Sequence, residues 1–113
     1  MRRKYGNRKV EIDGFMFDSR LEAQRYVELT LMERAGEITD LRLQPEFILI
    51  PSFKKNGVTY RKTAYRADFS YFDTRAGKVV IEDTKGFKTQ EYRLKKKLFE
   101  YQYPDLEIIE VRA

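Results

Sequence analysis

Two short apolar segments near the start of the chain flank a turn signal. Apolar residues take alternate positions in 10–12, the segment 15–17 is apolar throughout, and Asp13-Gly14 between them is typical of a two-residue turn. The pattern therefore predicts an N-terminal β-hairpin in which Val10 lies opposite Phe17.

The period then changes to that of a helix. This helix is predicted to run from about Ser19 to Ala35, because Asp18 or Ser19 suits the N-cap position and Gly36 suits the C-terminal stop. Apolar residues on two sides indicate that the helix is covered on more than one face. The main apolar stripe is predicted to comprise Leu21, Ala23, Val27, Leu31 and Ala35, with Tyr26 and Leu29 on another side.

Most of the remaining apolar runs predict strands. The run 41–50 contains Pro45, which favours an edge strand or an interruption. Asn56-Gly57 lies at the centre of a second hairpin signal. Further strands are predicted over 65–72, 79–85 and 106–111.

The order of elements is hairpin, helix, three strands, helix and strand. This order predicts an α/β fold, built as an α+β mixed sheet with helices packed on it. The second helix, expected from Thr89 to Tyr103, links two strands and indicates a right-handed crossover, so the last strand should run parallel to the strand before that helix. A chain of 113 residues is expected to form a single domain over 1–113.

The chain contains no histidine and no cysteine. This composition excludes thiol nucleophiles, histidine general bases and zinc sites built on nitrogen or sulfur ligands. Any catalysis must therefore rest on carboxylates, lysine and a hard metal ion. Oxygen ligands select magnesium, manganese or calcium, and magnesium commonly needs only one or two protein carboxylates.

The net charge of the chain is +5. A basic balance favours a polyanionic partner such as nucleic acid, although some basic chains bind nothing specific. No apolar run approaches the length of a membrane span, so no membrane partner is expected, and the expected location is the cytoplasm. The positive residues are concentrated at 2–9, 54–55, 61–62 and 85–97.

Two carboxylates occupy neighbouring predicted strands. Asp83 and Lys85 share one face at the end of an otherwise apolar strand, and Asp68 lies between large apolar residues in the strand before it. The short turn 73–78 makes these strands antiparallel neighbours that carry Asp68 and Asp83 side by side. A solvated surface pair is the alternative for Asp83 and Lys85, but a buried carboxylate such as Asp68 needs a partner or a metal ion.

This arrangement resembles the PD-(D/E)XK nuclease superfamily. The matching pieces are Glu22 in the first helix, Asp68 in one strand and Asp83-Thr84-Lys85 at the end of the next. The resemblance covers about 19–111 and is closest to small phage-encoded members and, more distantly, to Holliday-junction resolving enzymes. It implies a restriction-endonuclease-like core and metal-dependent cleavage of DNA. Ala67 stands where the family pattern has proline.

The resemblance implies that Glu22, Asp68, Asp83 and Lys85 are the catalytic residues. Asp68 and Asp83 would bind Mg²⁺, for which Mn²⁺ can substitute, with Glu22 as a direct or water-mediated ligand and the Thr84 carbonyl as a further one. Lys85 would orient water or stabilise the charge that develops on the phosphate.

Three acidic residues leave alternatives open. Glu22 also fits a capping box with Ser19, in which its carboxylate would accept a backbone hydrogen bond. Glu82 precedes Asp83 and could replace it as a ligand, although only Asp83 shares a face with Lys85. Glu46 is a weaker ligand candidate and fits better as a charge on an edge strand.

Basic residues in or just before the second helix are expected to contact DNA phosphates, with a solvated helix face as the alternative. Tyr92, Phe99 and Tyr103 recur at helical spacing and are expected in the core. Consecutive lysines point in different directions, so not all of them can contact one duplex. The expected DNA-binding residues are Lys88, Arg93, Lys95, Lys96 and Lys97.

The sequence therefore predicts a metal-dependent endodeoxyribonuclease that acts on branched DNA such as a four-way junction. A domain of this size favours recognition of DNA shape over sequence, and two symmetric cuts imply a two-fold homodimer. The alternatives are a nicking, flap or sequence-specific endonuclease, a non-catalytic DNA-binding accessory protein, and an RNA-processing or RNA-binding protein.

Overall fold

The computed structural model describes residues 9–84 and 88–112. Within these ranges the chain forms two helices and ten strands. The helices are α1 (Arg20–Arg34) and α2 (Gln90–Gln102). The strands are β1 (Val10–Ile12), β2 (Phe15–Phe17), β3 (Ile38–Leu43), β4 (Glu46–Ile50), β5 (Phe53–Lys55), β6 (Val58–Tyr60), β7 (Thr63–Arg66), β8 (Phe69–Asp73), β9 (Lys78–Thr84) and β10 (Ile108–Val111).

A mixed four-stranded sheet with the strand order β10-β9-β8-β3 forms the centre of the fold. Strands β3 and β9 each run antiparallel to β8, while β10 runs parallel to β9. The chain passes from β9 to β10 through α2, because parallel neighbours need a long crossover connection. The predicted α/β class and the parallel direction of the last strand are confirmed.

Alternating side chains of β9 divide the core into two halves, one on each face of the sheet. Val80 packs in a cluster with Leu29 of α1 and Phe69 of β8. Ile81 packs on the opposite face, in a cluster with Phe99 of α2. The two helices therefore cover opposite faces, and burial of a side chain of this size stabilises the fold by about 1.5–3 kcal/mol.

The N-terminal hairpin forms in the predicted register, with Val10 opposite Phe17. Its turn places Asp13 and Gly14 at φ values of 55° and 83°, the left-handed conformation that a type I′ turn requires. The hairpin packs on α1, because the rings of Phe17 and Tyr26 lie 4.9 Å apart and the Tyr26 hydroxyl donates to Asp13 Oδ2 at 2.9 Å.

Both helices begin at predicted N-cap residues. Ser19 Oγ accepts a hydrogen bond from the Glu22 N–H at 3.1 Å, and Thr89 Oγ1 accepts one from the Tyr92 N–H at 3.0 Å. These bonds satisfy backbone donors that the first turn of a helix leaves without a partner. Neither described helix is long and apolar enough to cross a membrane.

The buried side of α1 differs from the predicted stripe. Val27 is 42% exposed and Leu31 is 56% exposed, so the stripe prediction was wrong. The hairpin and the sheet contact another side of the helix, and these tertiary contacts decide which of its apolar residues are covered. The buried residues of α1 are Glu22, Ala23, Tyr26 and Leu29.

Two of the predicted strands are each divided in two. The run 41–50 breaks at Gln44, which has a φ of 51°, and Pro45, and the run 65–72 breaks at Ala67-Asp68. The two breaks contact each other, since the Gln44 N–H donates to the Asp68 carbonyl at 2.8 Å and the Ala67 N–H donates to the Pro45 carbonyl at 3.0 Å. Both segments of the chain thereby leave the central sheet together and form the separate strand pair β4–β7. Asp68 lies at this corner rather than inside a continuous strand.

Leu29 and Leu31 provide a test of which side of α1 is buried. We expect Leu29→Ala to lower the free energy of unfolding by about 2–5 kcal/mol, because the Leu29 side chain is fully buried and its removal leaves a cavity. Leu31→Ala is the matched control and should change this free energy by less than about 0.5 kcal/mol. Urea denaturation measures both, and equal losses would contradict the packing of α1.

Candidate metal and nucleic-acid site

Asp68 and Asp83 lie side by side at the end of the β8–β9 pair. Phe69 is opposite Glu82 in the antiparallel register, and the Asp68 N–H donates to the Glu82 carbonyl at 3.0 Å. Continuing this register by one residue places Asp68 opposite Asp83. The structure therefore brings together the two carboxylates that the sequence predicts as neighbours.

Hydrogen bonds from Thr84 fix the side chain of Asp68. Asp68 Oδ2 accepts from the Thr84 N–H at 2.6 Å and from the Thr84 hydroxyl at 2.7 Å. The sequence predicted only the Thr84 carbonyl, as a metal ligand, and gave no signal for this role of its N–H and hydroxyl. Thr84 acts here as a positioning residue for a carboxylate on the neighbouring strand.

Asp83 is buried beside Tyr65. Only 1% of Asp83 is exposed, and its Oδ2 accepts a hydrogen bond from the Tyr65 hydroxyl. Burial raises the pKa of Tyr65 well above its usual range, and the hydrogen bond to Asp83 raises it further. Tyr65 therefore remains a hydrogen-bond donor throughout the neutral pH range and orients the Asp83 carboxylate.

Glu22 takes a role close to the first of the two that the sequence left open, the support of the helix start. Its Oε1 accepts a hydrogen bond from the Asp18 N–H at 3.3 Å, one residue before the expected partner Ser19, so this oxygen supports the start of α1. Its Oε2 is buried and accepts no hydrogen bond of normal geometry from the described residues. Burial raises the pKa of Glu22 to about 7, and the negative charge of Asp68 contributes to this increase. The Asp18 N–H and the nearby Gln44 side chain offset only part of it.

Glu82, the second candidate carboxylate on β9, is held by α1. The Arg25 guanidinium donates to both of its oxygens, with Nε–Oε1 at 2.8 Å and Nη2–Oε2 at 2.7 Å, and the Tyr71 hydroxyl donates to Oε2. Glu82 is only 1% exposed, so its charge depends on these partners. This network was not foreseen from the sequence, because nothing local links Arg25 to a strand so far along the chain.

Adjacent positions in β9 separate these two carboxylates onto opposite faces of the sheet. Glu82 faces Arg25 on the α1 side, while Asp83 contacts Tyr65, which packs in the core cluster on the α2 side. The structure thus gives Glu82 a structural partner and leaves Asp83 as the candidate ligand. Lys85, the predicted catalytic lysine, lies outside the described residues.

The donor atoms of this corner are all oxygens, the type that Mg²⁺ and Mn²⁺ prefer. Across residues 9–84 and 88–112, no group of three or more carboxylates is close enough to hold a metal ion by itself. Magnesium commonly takes one or two protein carboxylates and completes its shell with water and phosphate oxygens. The buried Oε2 of Glu22, close to the charge of Asp68, fits a site that a cation would stabilise. Metal ligation by Glu22, Asp68 and Asp83 stays a prediction.

The predicted DNA-binding residues divide between two surfaces. Lys95 forms an ion pair with Glu91 at 3.1 Å and lines a depression beside Tyr65 and Arg66. The other four residues line a separate open depression next to the exposed Tyr101. The basic residues of this second depression, here called the α2 basic surface, are Lys88, Arg93, Lys96 and Lys97, and Glu100 also lines it.

Glu110 organises one side of the α2 basic surface and was missed in the sequence. It contacts Lys88 Nζ at 3.1 Å and Lys96 Nζ at 3.6 Å, and it accepts a hydrogen bond from the Tyr92 hydroxyl at 2.8 Å. Burial would raise the pKa of Glu110, but the bonds from Tyr92 and Lys88 and the charge of Lys96 outweigh it and lower this pKa to about 2. Glu110 pairs with Asp83 in the parallel register of β9 and β10, so the basic surface adjoins the carboxylate corner.

The remaining assignments agree with the structural alternatives considered from the sequence. Tyr92 and Phe99 are buried in the core, and Tyr103 packs beside them with its ring 5.1 Å from that of Phe99. Glu46 is exposed and pairs with Lys62 at 2.8 Å, as expected for an edge-strand charge.

A protein-family model described as "Protein of unknown function (DUF1064)" matches residues 2–113. No curated protein matches the chain. Because the match spans the central sheet, both helices and the carboxylate corner, all of these features belong to the region that the family model covers.

The raised pKa of Glu22 predicts how stability depends on pH. The ordinary value of 4.5 applies to the unfolded chain, and the folded value is about 7. The folded state therefore holds the Glu22 proton more tightly than the unfolded chain does. The contribution of this proton to the free energy of unfolding is complete below pH 4.5 and is lost as the pH rises through 7. We expect the wild-type melting temperature, measured in chelator, to fall between pH 5 and pH 8, and Glu22→Gln to reduce this fall. Glu37→Gln, which changes an exposed carboxylate beyond the end of the same helix, is the control. Identical pH profiles for wild type and Glu22→Gln would contradict the assignment.

Proposed function

The chain belongs to the DUF1064 family, and from its carboxylate corner we propose that it is a metal-dependent endodeoxyribonuclease. The observation that carries this proposal is the pair of carboxylates Asp68 and Asp83 beside Tyr65 at the end of the β8–β9 pair, with Glu22 of α1 near Asp68. Buried carboxylates repel one another unless a proton or a cation compensates their charge. The raised pKa of Glu22 beside Asp68 supports such a site.

The residues of the corner fit Mg²⁺, with Mn²⁺ as a substitute. Asp68 and Asp83 would hold the ion and Glu22 would contact it directly or through water, while phosphate oxygens of the substrate complete the shell. The bound ion would supply positive charge at the scissile phosphate and make a water molecule more acidic.

The other side chains of the corner have positioning roles in this proposal. Thr84 fixes one oxygen of Asp68, and Tyr65 fixes one oxygen of Asp83. Holding acidic groups in one geometry before the substrate arrives reduces the reorganisation that the reaction needs. Lys85 would stabilise the negative charge that develops on the phosphate, a role that its ammonium group can fill without losing a proton.

The proposed substrate is branched DNA such as a four-way junction, cut by a two-fold homodimer. Two symmetric cuts require two copies of a site that each chain carries once. The proposed location is the cytoplasm of a bacterium or phage host.

A second candidate function is a DNA-binding accessory protein without turnover. It is favoured by the finding that no three carboxylates among the described residues are arranged to hold a metal ion, and by the two bonds that Thr84 donates to Asp68. Nicking, flap and sequence-specific endonucleases are variants of the main proposal and differ from it only in the substrate that is cut.

A panel of labelled DNAs tests the proposed activity. Single-strand, duplex, flap and four-way-junction DNAs are incubated with Mg²⁺, Mn²⁺ or Ca²⁺, and the products are separated on denaturing gels. We expect cleavage of the junction with Mg²⁺ or Mn²⁺ and binding without turnover in Ca²⁺, because Ca²⁺ fits oxygen ligands but is larger and activates water poorly. Equal cleavage in excess chelator would contradict the metal requirement, and no cleavage in any metal would favour the accessory protein.

Substitutions at the corner test the assigned residues. Asp83→Asn and Lys85→Ala should each abolish cleavage, and Asp83→Asn should leave DNA affinity unchanged or higher, because it removes a negative charge that repels phosphate. Glu46→Gln, which changes an exposed carboxylate paired with Lys62, should retain activity and serves as the control. Gel-shift assays in Ca²⁺ measure affinity independently of cleavage. Normal turnover by Asp83→Asn would overturn the assignment.

A further inference from the structure

A two-stranded ribbon extends from the small β4–β7 sheet. Strands β5 and β6 pair antiparallel, with Phe53 opposite Tyr60 and Lys55 opposite Val58. Every residue over 51–62 is exposed to solvent. An isolated two-stranded hairpin is marginally stable in water, and this ribbon has no buried face that would stabilise it.

The composition of the ribbon differs from that of the rest of the surface. The segment 51–62 contains four cations and no acidic residue, whereas the whole chain has 23 basic and 18 acidic residues. Only Lys62, at the base of the ribbon, has an ion pair among the described residues, with Glu46. The cations of the ribbon are Lys54, Lys55, Arg61 and Lys62.

A stacked aromatic pair keeps the ribbon in shape. The rings of Phe53 and Tyr60 lie 4.8 Å apart and within 14° of parallel, yet the two residues remain 47% and 46% exposed. Such a cross-strand pair stabilises a hairpin that has no core beneath it. Lys54 and Lys55 are neighbours on one strand, so they project from opposite faces of the ribbon and both faces are positive.

From these observations we infer that the β5–β6 ribbon is a DNA-binding arm that contacts duplex phosphates through Lys54 and Lys55. A two-stranded ribbon has the dimensions to enter the major groove, and its charge complements the phosphate backbone on either side. The inference rests on the proposed function for its partner, DNA, but not for cleavage.

The connection between the ribbon and the carboxylate corner limits where the arm binds. The chain between Gly57 at the tip and Asp68 spans at most about 40 Å when fully extended. One turn of duplex DNA is about 34 Å long. The tip of the arm therefore lies no more than about 40 Å from the corner, so the arm would contact DNA within about one helical turn of the bond that is cut.

Charge removal on the ribbon provides the test. The double variant Lys54→Ala/Lys55→Ala is compared with Arg75→Ala/Lys78→Ala, which removes two exposed charges at the opposite end of β8 and β9. Affinity for a duplex is measured by fluorescence anisotropy in Ca²⁺ over a range of salt concentrations. We expect the ribbon variant to bind about tenfold more weakly at low salt, with the slope of log affinity against log salt reduced by up to about two, because each lost phosphate contact contributes about 0.9. A slope and affinity equal to those of the control variant would overturn the inference.

A second variant separates ribbon shape from ribbon charge. Phe53→Ala/Tyr60→Ala retains all four cations but removes the stacked rings, so we expect weaker binding with a nearly unchanged salt slope. Circular dichroism checks that each variant remains folded, which the exposure of these positions favours. If sedimentation instead shows that the lysine variant converts a dimer to a monomer, the ribbon is a contact between copies of the chain and the inference fails.

Cleavage assays distinguish this inference from the nuclease proposal. With Mg²⁺, Lys54→Ala/Lys55→Ala should need about tenfold more enzyme for half-maximal cleavage, whereas Asp83→Asn should not cut at any enzyme concentration but should keep the wild-type salt slope. If the wild type cuts no DNA while the ribbon variant still loses affinity, the nuclease proposal fails and the arm stands. If the wild type cuts DNA and the ribbon variant binds like its control, the nuclease proposal stands and the arm fails.

Discussion

The buried ion pair between Arg25 and Glu82 is the contact on which the arrangement of the corner depends. It joins α1 to the end of β9, and the Tyr71 hydroxyl adds a bond from β8, so three elements meet at one carboxylate. Glu22 lies one turn before Arg25 on the same helix, and Asp83 follows Glu82 in the same strand. The pair therefore sets the distance between the elements that carry these two acidic groups, although it contacts neither of them.

A cluster of acidic side chains opposes folding, and the protein compensates for this with specific hydrogen bonds. Thr84 supports Asp68, Tyr65 supports Asp83, and the proton favoured by the raised pKa of Glu22 removes a third negative charge near neutral pH. The pKa of Glu110, on the neighbouring strand β10, is lowered instead, because bonds from Tyr92 and Lys88 favour the charged carboxylate. The pKa values of Glu22 on α1 and Glu110 on β10 are thus shifted in opposite directions.

The parts of the fold that local chemistry determines could be predicted from the sequence. The Asp13-Gly14 turn, the Ser19 and Thr89 caps and the neighbouring positions of Asp68 and Asp83 all follow from residues close together in the chain. The buried face of α1, the division of the strand at Asp68 and the partners of Glu82 depend on contacts between distant segments. Periodicity indicates that a helix has apolar residues on two sides, but not which side the sheet will cover.

Glu82 and Asp83 are consecutive residues whose side chains serve different halves of the protein. A strand alternates its faces at every residue, so inserting or deleting a single residue within β9 would present Asp83 to Arg25 and turn its neighbour toward Tyr65. Both the ion pair and the acidic corner would be lost at once. Changes in chain length are therefore tolerable in exposed turns such as 74–77, whereas the length of β9 has to stay constant.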